Sequence, residues 1–301
     1  MRTVTRERLN PAETAEVLAL VDAATAADGV RPLNEHVMLH LRYGGDPQAY
    51  AVLAVDEETG AVVGYAHVDP TDPVEGPSGE LVVHPAHRRK GYGRGLAGAV
   101  LELTGGRLRL WAHGRHDGAE RLAAGLGFAK IRTLHQMRRS LFADLPEPVF
   151  PDGVRLRVFR PGADEEPWLR LNAKAFATHP EQGAWTSADL GRREGEPWFD
   201  PAGFFLAERD GRLVGFHWTK IHGAEGEHGH EPIGEVYVVG VDPDEQGGGL
   251  GRALTLAGLA HLRSRGLGQV LLYVDEENGA AVRLYESLGF AVWDTDVMYR
   301  R

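Results

Sequence analysis

Apolar and polar positions follow one pattern along the chain, and the pattern occurs twice. Leu53-Ala54-Val55 and Val62-Val63-Gly64-Tyr65 are short apolar runs separated by the polar stretch Asp56 to Gly60, which predicts a β-hairpin. Phe205-Leu206-Ala207 and Leu213-Val214-Gly215-Phe216, parted around Asp210-Gly211, predict the same hairpin again. Each hairpin is followed by an apolar run suited to a buried strand, Leu81-Val82-Val83 or Val239-Gly240-Val241, and then by a glycine-rich stretch. There the period changes from strand to helix. Leu96, Ala99, Val100 and Leu103 fall at i, i+3, i+4 and i+7, as do Leu250, Ala253, Leu254 and Ala257. Another apolar run follows, Leu108 to Ala112 or Val270 to Val274, and each half closes on Leu-Gly-Phe, at Leu126-Gly127-Phe128 and Leu288-Gly289-Phe290.

Aligning Val83 with Val241 also aligns Arg88 with Gln246, Gly91 with Gly249 and Gly93 with Gly251, without a gap. Four landmarks in one order mark an internal duplication. The chain has 301 residues, enough for two domains of about 150. Pro146-Glu147-Pro148-Val149-Phe150-Pro151-Asp152-Gly153 reads as the linker, giving domains at 1–145 and 152–301. Each is expected to be a mixed sheet flanked by helices, an α/β architecture.

A strand that ends in a glycine-rich turn and opens a helix presents unpaired backbone N–H groups at the positive end of the helix dipole. The missing side chains admit a bulky anion, and a pyrophosphate is the natural guest. The spacing is Arg88-x-x-Gly91-x-Gly93 in the first half and Gln246-x-x-Gly249-x-Gly251 in the second.

Composition narrows the chemistry. There is no cysteine, so disulfides, thiolate metal sites and a cysteine nucleophile are excluded, and acyl transfer would have to be direct. A net charge of −10 argues against nucleic acid and anionic membranes, and suits a cationic small substrate. No apolar run approaches a membrane span, and Met1 to Asn10 lacks the apolar centre of a secretory signal, so a cytoplasmic location is expected. Nothing in the sequence requires a dimer; a monomer is expected. His222, His228 and His230 fall in the segment Ile221 to Gly234, which has no ligand spacing, so no metal site is expected there.

The paired glycine segments resemble motif A of the GNAT acetyltransferase superfamily, in which such a loop holds the pyrophosphate of acetyl-CoA. The resemblance covers both halves and implies two tandem acyl-CoA N-acyltransferase domains with acetyl-CoA as cosubstrate and no metal. It implies CoA contacts at Leu81, Val82, Val83, Arg89, Lys90, Gly91, Tyr92, Gly93 and Arg94 in the first half. In the second half it implies Val239, Gly240, Val241, Gln246, Gly247, Gly248, Gly249, Leu250, Gly251 and Arg252, with Asn278, Gly279, Ala280, Ala281, Val282 and Arg283 along the CoA arm. The run Gly234 to Pro243, with His179-Pro180-Glu181-Gln182-Gly183 and Phe216-His217-Trp218-Thr219-Lys220, is similar to tandem members that acetylate the cysteinyl amine of a cysteine–glucosamine–inositol conjugate. That implies a small thiol-sugar amine as substrate, contacted by Glu35, Glu181, Lys220, Glu235 and Tyr273, and catalysis by the C-terminal domain alone.

Comparing the halves tests which one reacts. Acetyl transfer needs a base for the ammonium proton and an acid for the departing thiolate. Glu235, six residues before Val241, is the candidate base; the first half has Pro77 six before Val83. Tyr285, three before Leu288, is the candidate acid and is matched by Ala123, while Asn278 is matched by His116. The first half therefore reads as a non-catalytic copy that keeps its anion loop. Freeing an α-amine of pKa about 7.7–8.0 at pH 7 costs only about 1 kcal/mol, so Glu235 can act through water. Positioning and a backbone N–H near Val241 facing the oxyanion are expected to supply much of the rate. Two further readings stay open: a tandem acetyltransferase for another amine, such as an aminoglycoside, polyamine or peptide, and an acyl-CoA sensor without turnover.

Overall fold

The structure, a computed structural model, describes residues 2–44, 48–72, 74–177, 179–223 and 231–301, and of residues 180 and 181 the backbone alone. The chain forms two compact units. The first takes Met1–His135, Asp275–Glu277 and Asp294–Arg301; the second takes Gln136–Val274 and Asn278–Trp293.

The first unit runs β1 (Arg2–Arg6), α1 (Pro11–Asp28), α2 (Glu35–Tyr43), β2 (Tyr50–Val55), β3 (Val62–Asp69), β4 (Ser78–Val83), α3 (Tyr92–Leu103), β5 (Arg109–Ala112), α4 (Asp117–Gly125) and β6 (Ala129–Ser140), the last of which continues into the second unit. Strands β1 to β4 pair antiparallel in order, and β5 joins β4 in parallel. The outer edge of β5 is covered by Val297–Arg300, antiparallel, from the end of the chain. Helix α1 begins on a capping box, Asn10 with Glu13, and buries Val17, Leu20, Val21 and Ala24 at helical spacing. It packs with α2 over Leu53, Tyr65 and Val82. The opposite face, with Val52, Ala54, Ala66 and Val68, is covered by Leu96 and Val100 of α3 and Ala123 of α4.

A buried polar network ties the end of the chain into this unit. His113 lies between two carboxylates, with Nε2 2.9 Å from Glu80 Oε1 and Nδ1 2.9 Å from Asp296 Oδ2. Asn34 N donates to Glu80 Oε2 and Gly114 N to Asp296 Oδ1, both at 2.8 Å. Burial alone pulls the imidazole down, but Glu80 and Asp296 more than reverse this and push it up to about 10. Both ring nitrogens therefore carry protons and donate.

The second unit runs β7 (Arg155–Val158), α5 (Glu165–Ala175), α6 (Pro180–Gly183), α7 (Ser187–Glu194), β8 (Phe204–Arg209), β9 (Arg212–His222), β10 (Ile233–Val241), α8 (Leu250–Ser264), β11 (Gln269–Asp275), α9 (Gly279–Ser287) and β12 (Ala291–Arg300). Strands β7 to β10 are antiparallel neighbours, β11 joins β10 in parallel, and β6 lies beyond β11. One face packs Phe204, Phe216 and Trp218 against Trp168 of α5 and Leu190 of α7. The other packs Met137, Val236 and Leu272 against Leu256 and Leu259 of α8 and Tyr285 of α9.

Both hairpins and both glycine-opened helices form where the pattern places them. The repeated Val-Gly has a packing reason. A Cβ at Gly64 would lie 2.8 Å from Leu96 Cδ1, and one at Gly215 would lie 2.8 Å from Leu254 Cδ1, so only glycine lets each helix sit this close to its hairpin.

Candidate active site

In each unit the central strand parts from its parallel neighbour. The β10–β11 ladder ends at Val236–Leu272, although β10 stays paired with β9 as far as Val241. In the first unit β4–β5 pairing ends at Glu80–Trp111, while β3–β4 continues to Val83. Past those points one edge of the central strand, at Val239, Gly240 and Val241 or at Leu81, Val82 and Val83, has no strand partner among the described residues. Each strand then turns through the glycine segment into a helix whose N-cap, Gly249 or Gly91, is left-handed (φ 83° and 89°) and makes no side-chain cap. Only glycine enters that conformation without strain. The first-turn N–H groups of Leu250, Gly251 and Arg252, and of Tyr92, Gly93 and Arg94, are thus left for an outside acceptor. The unpaired strand edge and the uncapped helix end together fit an extended chain ending in a pyrophosphate. Gln246, Gly247 and Gly248, and Arg89 and Lys90, form the turns themselves. Arg89 has φ 63°, the same left-handed conformation as its counterpart Gly247 at 85°.

Asn278 caps α9, its Oδ1 accepting from Ala281 N at 3.2 Å, so Gly279, Ala280, Ala281, Val282 and Arg283 form the first turns of that helix. Tyr285, further along, is 7% exposed and packs on Phe290 at 5.8 Å between ring centroids. Burial raises its phenol to about 12, so it stays protonated at neutral pH and is available as a donor. Its equivalence to Ala123 is confirmed by geometry: Phe290 N donates to Tyr285 O as Phe128 N donates to Ala123 O.

Glu235 stands on β10 directly opposite Lys220 on β9. Both are largely buried, at 7% and 8% exposure. The Lys220 ammonium lies 4.2 Å from the ring centre of Trp198 and 5.1 Å from that of Tyr237, whose hydroxyl accepts from Arg193 Nε at 2.7 Å. Glu235 Oε2 is 2.6 Å from His222 Nε2. A carboxylate only accepts, so the imidazole donates. Among the described residues the other oxygen, Oε1, has no hydrogen bond. Sequence reasoning considered His222 only as a metal ligand. Its spacing of two from Lys220 puts it on the same strand face, and that signal was available.

The ladder corrects one equivalence. Counted from Gly64 and Gly215, Glu235 pairs with Lys220 as Ser78 pairs with Asp69, so the residue in its place in the first unit is Ser78 and not Pro77. The cause is a β-bulge in β10 between Val236 and Val238, which adds Tyr237 and has no equivalent along β4. The first unit thus lacks a carboxylate at that point, a phenol at Ala123, and the bulge.

Tyr273 is on β11, two residues past Leu271, which pairs with Glu235; it therefore shares the Glu235 face. It is 42% exposed and its hydroxyl accepts from Gln136 Nε2 at 2.7 Å. Glu35 opens α2 in the first unit. The Glu181 side chain, and His228 and His230, lie outside the described residues. Among the described residues no group of three or more His, Asp or Glu is placed to hold a metal, and no helix is long and apolar enough to cross a membrane.

Residues 20–128 and 168–290 match the model of the Acetyltransferase (GNAT) family. The chain is 65% identical to the mycothiol acetyltransferase of Streptosporangium roseum, with 98% of each chain covered. It is 64% identical to that of Thermobispora bispora (98% of each) and 60% identical to that of Acidothermus cellulolyticus (98% of this chain, 93% of the relative). A GCN5-related N-acetyltransferase from Sphaerobacter thermophilus superposes with a TM-score of 0.69 at 26% identity, over 99% of this chain and 95% of that one. A tandem GNAT protein from the clavulanic acid pathway gives 0.75 at 21% identity, over 100% and 98%, and shares the fold.

Proposed function

The chain belongs to the GNAT acetyltransferase family and, within it, to the mycothiol acetyltransferases, and we propose that it acetylates the cysteinyl amine of desacetylmycothiol directly from acetyl-CoA. The observation that carries the choice of site is the Glu235–His222 pair beside the bulge of β10, a combination the first unit lacks.

The residues divide the work as follows. The opening between β10 and β11 and the amides at the start of α8 hold the acyl-CoA. His222 fixes Oε2 of Glu235, so Oε1 takes the ammonium proton, directly or through one water. The freed amine attacks the thioester carbonyl, the amide C–N bond forms and the C–S bond breaks; the nitrogen gives its second proton to water, and CoA leaves as the thiolate. The bulge at Tyr237 supplies backbone near Glu235 for the oxyanion, closer to the base than the expected Val241. Tyr285 donates its hydroxyl hydrogen bond to the departing sulfur. A phenol at about 12 is too weak an acid to protonate a thiolate outright, so its part is to stabilise the thiolate. Lys220 and Tyr273 face the acceptor. Glu35 and Glu181 are carried over from the resemblance alone. The first unit keeps a fitting acyl-CoA site but no reacting group.

The deciding experiment is CoA release from acetyl-CoA with desacetylmycothiol offered beside other primary amines. Selective turnover of the cysteinyl conjugate supports the proposal. Preference for another amine keeps the transferase and discards the substrate.

A further inference from the structure

On the face of the second unit that carries Glu235, a row of side chains runs outward from Tyr273 across the strands, and beyond Tyr273 none of them has a part in the chemistry above. Gln136 and Arg138 of β6 flank Met137, which is buried on the opposite face with Leu272, so both point to the Glu235 side. Gln136 Nε2 donates to the Tyr273 hydroxyl at 2.7 Å, and Arg138 Nε donates to Gln136 Oε1 at 3.0 Å. The Arg138 guanidinium lies 4.7 Å from the ring centre of Trp293, at the second-unit end of β12. Trp293 is 66% exposed although one side of its ring is against Arg138. The guanidinium thus stacks on the indole and leaves most of the ring open to solvent. Beside it Tyr273 and Gln136 are fixed in orientation by the same chain of bonds.

We infer that Trp293, with Arg138, Gln136 and Tyr273, is a subsite for a six-membered polyol ring, the sugar or cyclitol end of the acceptor. Such a ring has an apolar face of C–H groups that stacks on an indole, and a rim of hydroxyls that pairs with guanidinium, amide and phenol groups. Spacing agrees. From β10 across β11 and β6 to β12 is three strand intervals, about 14 Å. That is the reach of an aminoacyl unit carrying two linked rings, with its amine at Glu235 and its far ring at Trp293. A simple amine or a polyamine would leave the row unused. The inference rests on the acyl-transfer reading only for where the amine sits.

The test is calorimetric titration of the whole protein, without acetyl-CoA, with glucosaminyl-inositol, which has the two rings but no cysteine. The wild type is expected to bind it. Trp293→Ala and Arg138→Met are expected to weaken binding at least tenfold, with thermal unfolding unchanged because Trp293 is mostly exposed. Binding by Trp293→Ala within twofold of wild type overturns the subsite, and so does no binding by the wild type. If the rings bind through Trp293 but the cysteinyl conjugate is never acetylated, the subsite stands and the proposed reaction fails.

Discussion

Replacing His113 with leucine removes the cation between Glu80 and Asp296 and leaves two carboxylates in a site where Glu80 is 2% exposed. Two routes give the size of the loss. The imidazole rises from about 6.5 unfolded to about 10 folded, and at about 1.4 kcal/mol per unit this is a ceiling of about 5 kcal/mol. Breaking buried ion pairs by removing one partner typically costs about 3–5 kcal/mol. For a unit of this size that lowers the melting temperature by about 6–20 °C. The sign with pH is fixed by the direction of the shift. A raised histidine contributes fully below about 6.5, and the contribution is lost as pH climbs through about 10. Thermal unfolding of wild type and His113→Leu at pH 7 and again at pH 10 measures both effects. The variant should be far less stable at pH 7, and the gap should shrink at pH 10 because the wild type is by then losing its cation. A gap below about 2 °C at pH 7, or one that does not narrow at pH 10, refutes the imidazolium.

Three further outcomes follow from the second unit. Glu235→Gln should lower kcat by about 10²–10³-fold with acetyl-CoA affinity within twofold; stopped assays and equilibrium binding check each half of that statement. Tyr285→Phe should lower kcat by about tenfold or more. In the wild type, the rate profile should show no alkaline limb from this phenol below about pH 11, since burial holds it near 12. Gly258→Ala should destabilise by about 1–3 kcal/mol in urea, because its Cβ would lie 2.0 Å from Cε1 of the buried His217 ring. A neutral result would mean that ring has room to move.

Much of this was legible in the sequence because a duplication reads itself. Periodicity located the hairpins and the glycine-opened helices, and the mismatch between halves at Glu235 and Tyr285 singled out one of them. The bulge was not legible: a residue inserted into a ladder changes no pattern of apolar positions, and it displaced the equivalence from Ser78 to Pro77. The His222–Glu235 bond joins strands through a register that spacing alone does not set. The row from Tyr273 to Trp293 draws on strands far apart in the chain, and each member looks like an ordinary exposed residue. The destination of Asp294–Arg301 was equally hidden, since a short strand segment does not name the edge it will cover.

That last placement has a consequence for how the molecule is made. The strand that covers β5, and the Asp296 that completes the buried His113 site, are made long after the rest of that unit: Asp296 lies 183 residues beyond His113. The half translated first must therefore wait, with one sheet edge open and His113 short of one partner, until residues 296–300 are made. Domains usually fold in the order they are synthesised; here the first unit finishes only after the strands of the second have been made. A chain cut before Asp296 would be damaged in the half farthest from the cut in sequence.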